Sequence, residues 1–154
     1  MASKIEMEVE LKSEAEKVWN SMRESTTLFP KALPQHYQSI QIVEGDGKSV
    51  NSVRLVTYPQ GISAVSSIKE KIEAVDDEKN FVSYSVIDGD ILNYYKNFKG
   101  SLSVSSSSSN GDNKTLLKWT CEFHKATEDT PNPDFIKDFA LKTFQDLDAY
   151  LLAN

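Results

Sequence analysis

Residues 129–151, DTPNPDFIKDFALKTFQDLDAYL, decide the fold class of this chain. Two prolines precede a segment whose mostly apolar residues recur at the i, i+3, i+4 spacing of one helix face. These residues are Phe135, Ile136, Phe139, Ala140, Thr143, Phe144, Leu147, Tyr150 and Leu151. A helix of about 20 residues is about 30 Å long, which is the width of a small sheet. The pattern therefore predicts a long amphipathic C-terminal helix that packs on a sheet.

The chain before this helix is typical of an antiparallel meander. Between Tyr37 and Ala126, runs rich in Val, Ile, Tyr, Phe, Ser and Thr alternate with turn residues. We predict six strands there, at residues 37–44, 50–58, 62–75, 81–88, 91–105 and 113–125. The connections have hairpin length, so neighbouring strands should pair. We expect residues 105–113, with their serine run and Asn110-Gly111, to form a mobile loop tip.

The first residues predict one strand and then short helices. Apolar and charged residues alternate over the segment from Ile5 to Leu11, which is the period of a half-buried strand. Ser13-Glu14-Ala15-Glu16 predicts a capping box at the start of a short helix. The segment 28–34 leaves room for one further short helix between its prolines. The order is that of an α+β fold, and we expect a single domain over residues 1–154.

Composition excludes several function classes. The 154 residues carry 23 acidic and 17 basic side chains without a basic cluster, so we expect no nucleic-acid partner. No apolar run approaches the roughly 20 residues of a membrane span, so we expect no membrane insertion. Cys121 is the only cysteine and the opening MASKIEMEVE lacks the apolar run of a secretory signal. We therefore expect a cytoplasmic protein, and a monomer, since no coiled coil or extended apolar edge is visible.

The sheet and helix together suggest a cavity. A sheet of seven strands twists and coils, so one helix contacts only part of its concave face. The remaining space is either filled by side chains or left as a pocket. Tyr58, Tyr84, Tyr94 and Trp119 combine an apolar ring with a polar atom, as residues that line apolar ligand sites do. The alternative, that these aromatics are simply core, stays open at this point.

Short motifs along the whole chain carry a family resemblance. They include Leu28-Phe29-Pro30-Lys31-Ala32, Glu44-Gly45-Asp46-Gly47, Tyr94-Tyr95-Lys96 and Asp148-Ala149-Tyr150-Leu151-Leu152. The chain resembles the plant major latex protein-like family, within the Bet v I and pathogenesis-related class 10 superfamily. The resemblance implies a helix-grip, START-like fold: a seven-stranded curved antiparallel sheet and two short helices around the long C-terminal helix and a hydrophobic cavity. It also implies binding of plant hormones, flavonoids, steroids or fatty acids, linked to defence or stress responses.

We predict a ligand-binding cavity with contributions from three places. Phe29 lies at its entrance, and the rest of the wall comes from the sheet and from the C-terminal helix. The sheet contributes Tyr58, Tyr84, Tyr94, Phe98, Trp119 and Cys121, and the helix contributes Phe139, Ala140 and Thr143. The tyrosine hydroxyls and Thr143 would orient the polar end of an apolar small molecule. We expect no cofactor.

The glycines of the 44–47 motif are a reduced form of the glycine-rich loop of that family. Gly45 and Gly47 are present, but the loop continues Lys48-Ser49-Val50 and lacks the Gly-Lys-Ser/Thr ending of a nucleotide loop. We therefore favour a tight hairpin turn over phosphate binding.

Catalysis is the alternative function class. His36 and His124 show no sequence sign of meeting Cys121, so neither a nucleophile–base pair nor a metal site is predicted. Relatives of this fold also include enzymes that perform acid–base condensation or isomerisation in the cavity. Such chemistry needs a group whose pKa is shifted by burial, and Lys69, Lys71 or Lys96 with a tyrosine could supply it. Strand parity alone does not decide which of these lysines point inward.

A third class is a ligand-controlled interaction module, as in hormone receptors of the same fold. The loops concerned would be residues 58–61 and 88–90, and neither carries the Ser-Gly-Leu-Pro-Ala or His-Arg-Leu pattern of those receptors. Ribonuclease activity, sometimes attributed to the superfamily, is less favoured still. We therefore expect a binding or carrier protein rather than an enzyme.

Overall fold

The computed structural model describes residues 2–59, 66–109 and 112–153, which form a curved antiparallel sheet and three α-helices. The strands are β1 Ala2–Leu11, β2 Ser39–Glu44, β3 Val53–Thr57, β4 Ser67–Asp76, β5 Phe81–Gly89, β6 Tyr95–Ser109 and β7 Asp112–Lys125. The helices are α1 Ala15–Arg23, α2 Ser25–Ala32 and α3 Asp134–Ala153, and a 3-10 helix spans Asp90–Asn93. This confirms the predicted α+β helix-grip fold.

The seven strands follow the order β1-β7-β6-β5-β4-β3-β2. Strands β2 to β7 form the predicted meander, and β1 forms one edge of the sheet, where it pairs with β7 from Ala2↔His124 to Leu11↔Thr115. The β6–β7 ladder continues as far as Ser109↔Asp112. The predicted strand ends at 105 and 113 were therefore wrong, since the serine run is strand. Within the predicted loop tip, Asn110-Gly111 lies outside the described residues, as do residues 62–65 of the predicted fourth strand.

The start of α1 differs from the predicted capping box. The N-cap residue is Glu14, which makes no side-chain capping hydrogen bond. Ser13 instead donates its backbone N–H to Asp148 Oδ1 at 2.9 Å, and Lys12 donates its backbone N–H to Asp148 Oδ2 at 3.0 Å. The capping box does not form, because the backbone N–H of Ser13 is bound by Asp148, which lies 135 residues further along the chain. One carboxylate on α3 thus ties the helix to the corner between β1 and α1.

The position of α2 also differs from expectation. It begins at Ser25, directly after Glu24, which ends α1 and precedes α2. Pro30 lies inside the helix, so the predicted location between the prolines was wrong. The missing N–H of Pro30 removes a single hydrogen bond, which a helix of eight residues tolerates next to a packed face. Phe29, on that face, is 6% exposed and points toward the sheet and α3.

One hydrophobic cluster joins the sheet to the helices. Its most deeply buried side chains are Val18 of α1, Leu33 after α2, Val104 of β6, Leu117, Cys121 and Phe123 of β7, and Leu147 of α3. Leu147 is fully buried, so the second half of α3 is anchored on this cluster. The first half of α3, from Phe135 to Thr143, lines open space instead. Among the described residues, no helix is long and apolar enough to cross a membrane.

Candidate functional site

A cavity of about 180 Å³ lies between the sheet, α2 and the first half of α3. Its wall is mostly apolar and aromatic, and every described strand from β3 to β7 contributes to it. Eight of the ten predicted site residues line it: Phe29, Tyr58, Tyr84, Phe98, Trp119, Phe139, Ala140 and Thr143. The geometry therefore brings most of the predicted set together around one space, while ligand contact by these residues stays a prediction.

Tyr94 does not line the cavity, so its predicted place was wrong. Its side chain is 58% exposed, whereas that of Tyr95 is 2% exposed and its hydroxyl donates to the Pro131 carbonyl at 2.7 Å. The predicted strand from residue 91 is interrupted by the 3-10 helix, so its two-residue alternation does not extend back to Tyr94. A bulge between Lys96 and Lys99, with Asn97 at φ +51°, then brings Phe98 back to the inner face.

Cys121 shares the inner face of β7 with Trp119 but is covered by neighbouring core residues and lines no open space. Burial raises the pKa of its thiol to about 12, so the side chain stays a neutral thiol. The prediction that Cys121 contributes to the cavity wall was wrong, because alternation shows which face of a strand a residue is on but not how far the cavity extends.

An aromatic cluster closes one end of the cavity. The ring of Phe139 lies 5.5 Å from that of Tyr58 at 90° and 5.6 Å from that of Tyr37 at 71°. The ring of Phe29 lies 5.3 Å from that of Tyr37. Edge-to-face contacts of this kind each contribute about 0.5–1.5 kcal/mol beyond area burial. The cluster therefore holds the start of α3 against the β2–β3 side of the sheet.

His36 supports this cluster from outside the cavity. Its ring meets the ring of Phe139 edge-on at 5.4 Å and 80°, and its Nε2 lies 2.7 Å from Asp146 Oδ2. The hydrogen bond from His36 lowers the pKa of the Asp146 carboxyl. His36 is 7% exposed. His36 thus links α3 to the segment that follows α2. Among the described interactions, it makes no contact with Cys121.

Tyr84 forms part of the opposite wall. Its ring lies directly over Gly100 on the neighbouring strand, where a side chain on residue 100 would collide with it. Burial raises the pKa of Tyr84, and burial has the same effect on Tyr37 and Tyr58. All three phenols are therefore neutral hydroxyls at physiological pH. They provide polar atoms without charge along an otherwise apolar wall.

The wall also contains a buried ion pair, which the sequence pattern did not predict. Arg54 of β3 and Glu70 of β4 are opposite each other in the sheet, and Arg54 Nη2 is paired with Glu70 Oε1. Arg54 Nη1 also donates to Ser25 Oγ at 2.7 Å. Glu70 is 7% exposed. The sequence does contain a sign of this placement. Ile68, Glu70 and Ile72 occupy every second position of β4 and share one face, so the carboxylate lies among inward-facing apolar residues.

The three lysines considered for catalysis stay outside the cavity. Ile68, Glu70 and Ile72 line it, so Lys69 and Lys71 between them lie on the other face of β4. Lys96 is exposed at the start of β6. Of the remaining wall residues that the prediction omitted, Tyr37 lies in a connection after α2 and Trp19 on the inner face of α1. Neither position follows a strand alternation.

In the glycine turn, a side chain of the turn itself accepts two of the backbone N–H groups. Gly45 and Gly47 have φ of +76° and +80°, which is the left-handed conformation that glycine allows. The carboxylate of Asp46 accepts the backbone N–H groups of Lys48 and Ser49, each at 2.8 Å. These hydrogen bonds hold the pKa of Asp46 well below its usual range. The loop is thus closed on its own side chain, in the place where a phosphate would accept these N–H groups. The predicted tight hairpin turn was wrong, because eight residues separate β2 from β3.

The long helix packs over the sheet with an apolar cavity between them. The sequence over residues 1–154 matches the family described as pathogenesis-related protein Bet v 1. The chain belongs to the pathogenesis-related protein Bet v 1 family. The predicted resemblance is thereby confirmed, including its major latex protein-like character. Members of the Bet v 1 family generally bind hydrophobic ligands and are generally not enzymes.

Relatives extend over the whole length of this Bet v 1 family member. MLP-like protein 423 of Arabidopsis thaliana is 46% identical over 148 residues, covering 96% of this chain and 93% of that protein. The Dau c 1 isoallergen Dau c 1.0401 of Daucus carota subsp. sativus is 33% identical over 156 residues, covering 98% and 97%. A crystal structure of ginseng major latex-like protein 151 (GLP) from Panax ginseng superposes with a TM-score of 0.89 over 98% of each chain, at 24% identity. That last likeness concerns the fold alone.

Proposed function

We propose that this Bet v 1 family member is a binding or carrier protein that holds an apolar small molecule in the cavity between its sheet and α3. The observation that carries the proposal is the cavity itself. A volume of about 180 Å³ stays open even though large aromatic side chains surround it. Interiors of proteins are close-packed, and voids larger than a water molecule are few. A retained apolar space with a few polar atoms is typical of a ligand site.

The size of the cavity favours compact ligands. A dry apolar cavity of about 150 Å³ in another protein accepts benzene, whereas pockets for drug-sized ligands are about 300–1,000 Å³. A molecule of one or two rings, such as a small plant hormone or part of a flavonoid, therefore suits the cavity as it is. A steroid or a long fatty acid would require the wall to move outward. Phe135, which lines the cavity and is 42% exposed, is the wall residue best placed to move.

A carrier in the cytoplasm, linked to defence or stress responses, is part of this proposal. The buried free thiol of Cys121 suits a reducing compartment. The alternative of an acid–base enzyme in the same cavity would have to use Glu70 and a tyrosine, since Lys69, Lys71 and Lys96 do not line it. Turnover of a bound compound in the binding assay would favour that alternative.

The test uses the two tryptophans of the chain, Trp19 and Trp119, because both line the cavity. Their fluorescence should change saturably when a panel of one- and two-ring plant hormones and flavonoids is titrated, with one-to-one stoichiometry by calorimetry. Ala140→Phe, which fills the cavity from α3, should abolish binding. Ala149→Phe, on the exposed side of the same helix, should leave it intact. Absence of binding across the panel, or equal binding by both variants, would overturn the proposal.

A further inference from the structure

The cavity wall combines one buried carboxylate, that of Glu70, with the hydroxyls of three tyrosines. The hydroxyls of Tyr37, Tyr58 and Tyr84 all lie within the electrostatic influence of Glu70, which adds to burial in raising their pKa values. Arg54 is paired to the same carboxylate. The polar end of a bound ligand would therefore meet neutral hydroxyls and a charge-compensated ion pair.

No positive charge of the described wall is left without a partner charge. The guanidinium of Arg54 forms an ion pair with Glu70 and donates a hydrogen bond to the Ser25 hydroxyl. The other cation of the wall, Arg23, has its Nε 3.4 Å from Asp77 Oδ1 and donates from Nη1 to the Lys48 carbonyl at 2.5 Å. An anionic ligand would thus be buried beside Glu70 without a free counter-charge, and an unpaired buried charge is strongly unfavourable.

One wall residue nevertheless keeps unused hydrogen-bonding capacity. Among the described residues, Arg54 Nε is buried and makes no hydrogen bond, whereas the Thr143 hydroxyl forms a hydrogen bond with Tyr37 that lowers the pKa of that phenol. Arg54 Nε is a donor, whereas the threonine hydroxyl both donates and accepts. A buried polar atom without a partner costs about 1–3 kcal/mol, so a ligand group that supplies the partner gains affinity. A neutral hydroxyl fits such a wall, because it accepts and donates at once without adding charge.

Given the proposed function, on which this inference rests, we propose that the cavity discriminates by charge: it prefers an apolar ligand ending in a neutral hydroxyl over the same skeleton ending in a carboxylate. Glu70 is the residue that sets this specificity, because it neutralises the one arginine in the polar part of the wall. The ligand class is then phenolic or alcoholic two-ring molecules rather than organic acids.

The test compares 2-naphthol, 2-naphthoate and naphthalene by calorimetry at pH 7.5, since they share one skeleton of suitable size. The wild-type protein should bind 2-naphthol at least tenfold more tightly than 2-naphthoate. Glu70→Gln keeps the shape but releases the charge of Arg54, so affinity for 2-naphthoate should rise at least tenfold while that for 2-naphthol changes less than threefold. Glu73→Gln, on the exposed face of the same strand, should leave both affinities unchanged.

A second measurement uses the wild-type protein alone and does not depend on the folding of the Glu70 variant. If only the neutral acid enters the cavity, the affinity for 2-naphthoate should rise about tenfold for each pH unit from 7 to 5, since carboxyl groups have pKa values of about 4. Titration of 2-naphthol at the same pH values corrects for changes in the protein. Naphthoate binding that equals or exceeds naphthol binding at pH 7.5, or that ignores pH, overturns the inference alone. Failure of all three compounds to bind counts against the proposed function.

Discussion

Replacing Gly100 by alanine should destabilise the protein, although residue 100 has no left-handed backbone conformation that would require glycine. A Cβ at this position would lie 2.5 Å from Tyr84 Oη and 2.9 Å from Tyr84 Cε2, against contacts of about 3.5–4.0 Å between packed atoms. The ring must therefore move by about 1 Å. Overpacking of this kind costs ~1–3 kcal/mol. Gly→Ala alone stabilises by ~0.4–1 kcal/mol through the unfolded chain.

The net expectation is a loss of ~1–2 kcal/mol, or ~2–8 °C in Tm for a domain of this size. Urea denaturation of the wild type, Gly100→Ala, Tyr84→Ala and the double variant gives the values. Without the tyrosine ring, the alanine should be neutral or stabilising by ~0.4–1 kcal/mol, so the cycle should show a coupling of ~1.5–3 kcal/mol. Additive effects, or a Gly100→Ala protein as stable as the wild type, would refute the steric reasoning.

Three further substitutions test the packing and electrostatics of α3. Leu147→Ala should lower the free energy of unfolding by ~2–5 kcal/mol because the side chain is fully buried, whereas Leu152→Ala, at a residue 55% exposed, should change it by less than ~0.5 kcal/mol in the same urea assay. The pKa of Asp146 is lowered in the folded protein by His36, so its stabilisation is full above the unfolded value of about 3.9 and is lost as pH falls through the lower folded value. Asp146→Asn should therefore flatten the decline of urea midpoints below pH 4, and an unchanged acid profile would contradict this contribution.

The periodicity of apolar residues was sufficient to predict a helix or strand where the local pattern agrees with the tertiary contacts. The spacing from Phe135 to Leu151 predicts α3 because a helix that covers a sheet must keep one continuous apolar face. The alternation in β1 and β7 holds because their ladder pairs without interruption from Ala2↔His124 to Leu11↔Thr115. These two regularities placed Trp119, Phe139, Ala140 and Thr143 in the wall.

The remaining features depend on contacts that a local pattern does not contain. Tyr94 was misplaced because a bulge and a 3-10 helix change strand parity without a reliable sequence sign. Ser13 matched a capping box, but Asp148 on α3 binds its backbone and the motif never forms. The pairing of Arg54 with Glu70 needs the β3–β4 register, which depends on a turn whose exact length the sequence leaves open.

Saturable binding alone would leave the location of the ligand open, because Ile42, Val43 and Tyr94 also present apolar surface outside the cavity. The most direct test is therefore a crystal structure of the protein with the tightest one-to-one ligand of the panel. We expect ligand density in the cavity between Tyr84 and Phe139, with a polar group within hydrogen-bonding distance of Thr143 or of the Arg54–Glu70 pair. Density only on the outer surface, with an unchanged empty cavity, would contradict the proposal that this fold holds its ligand between sheet and helix.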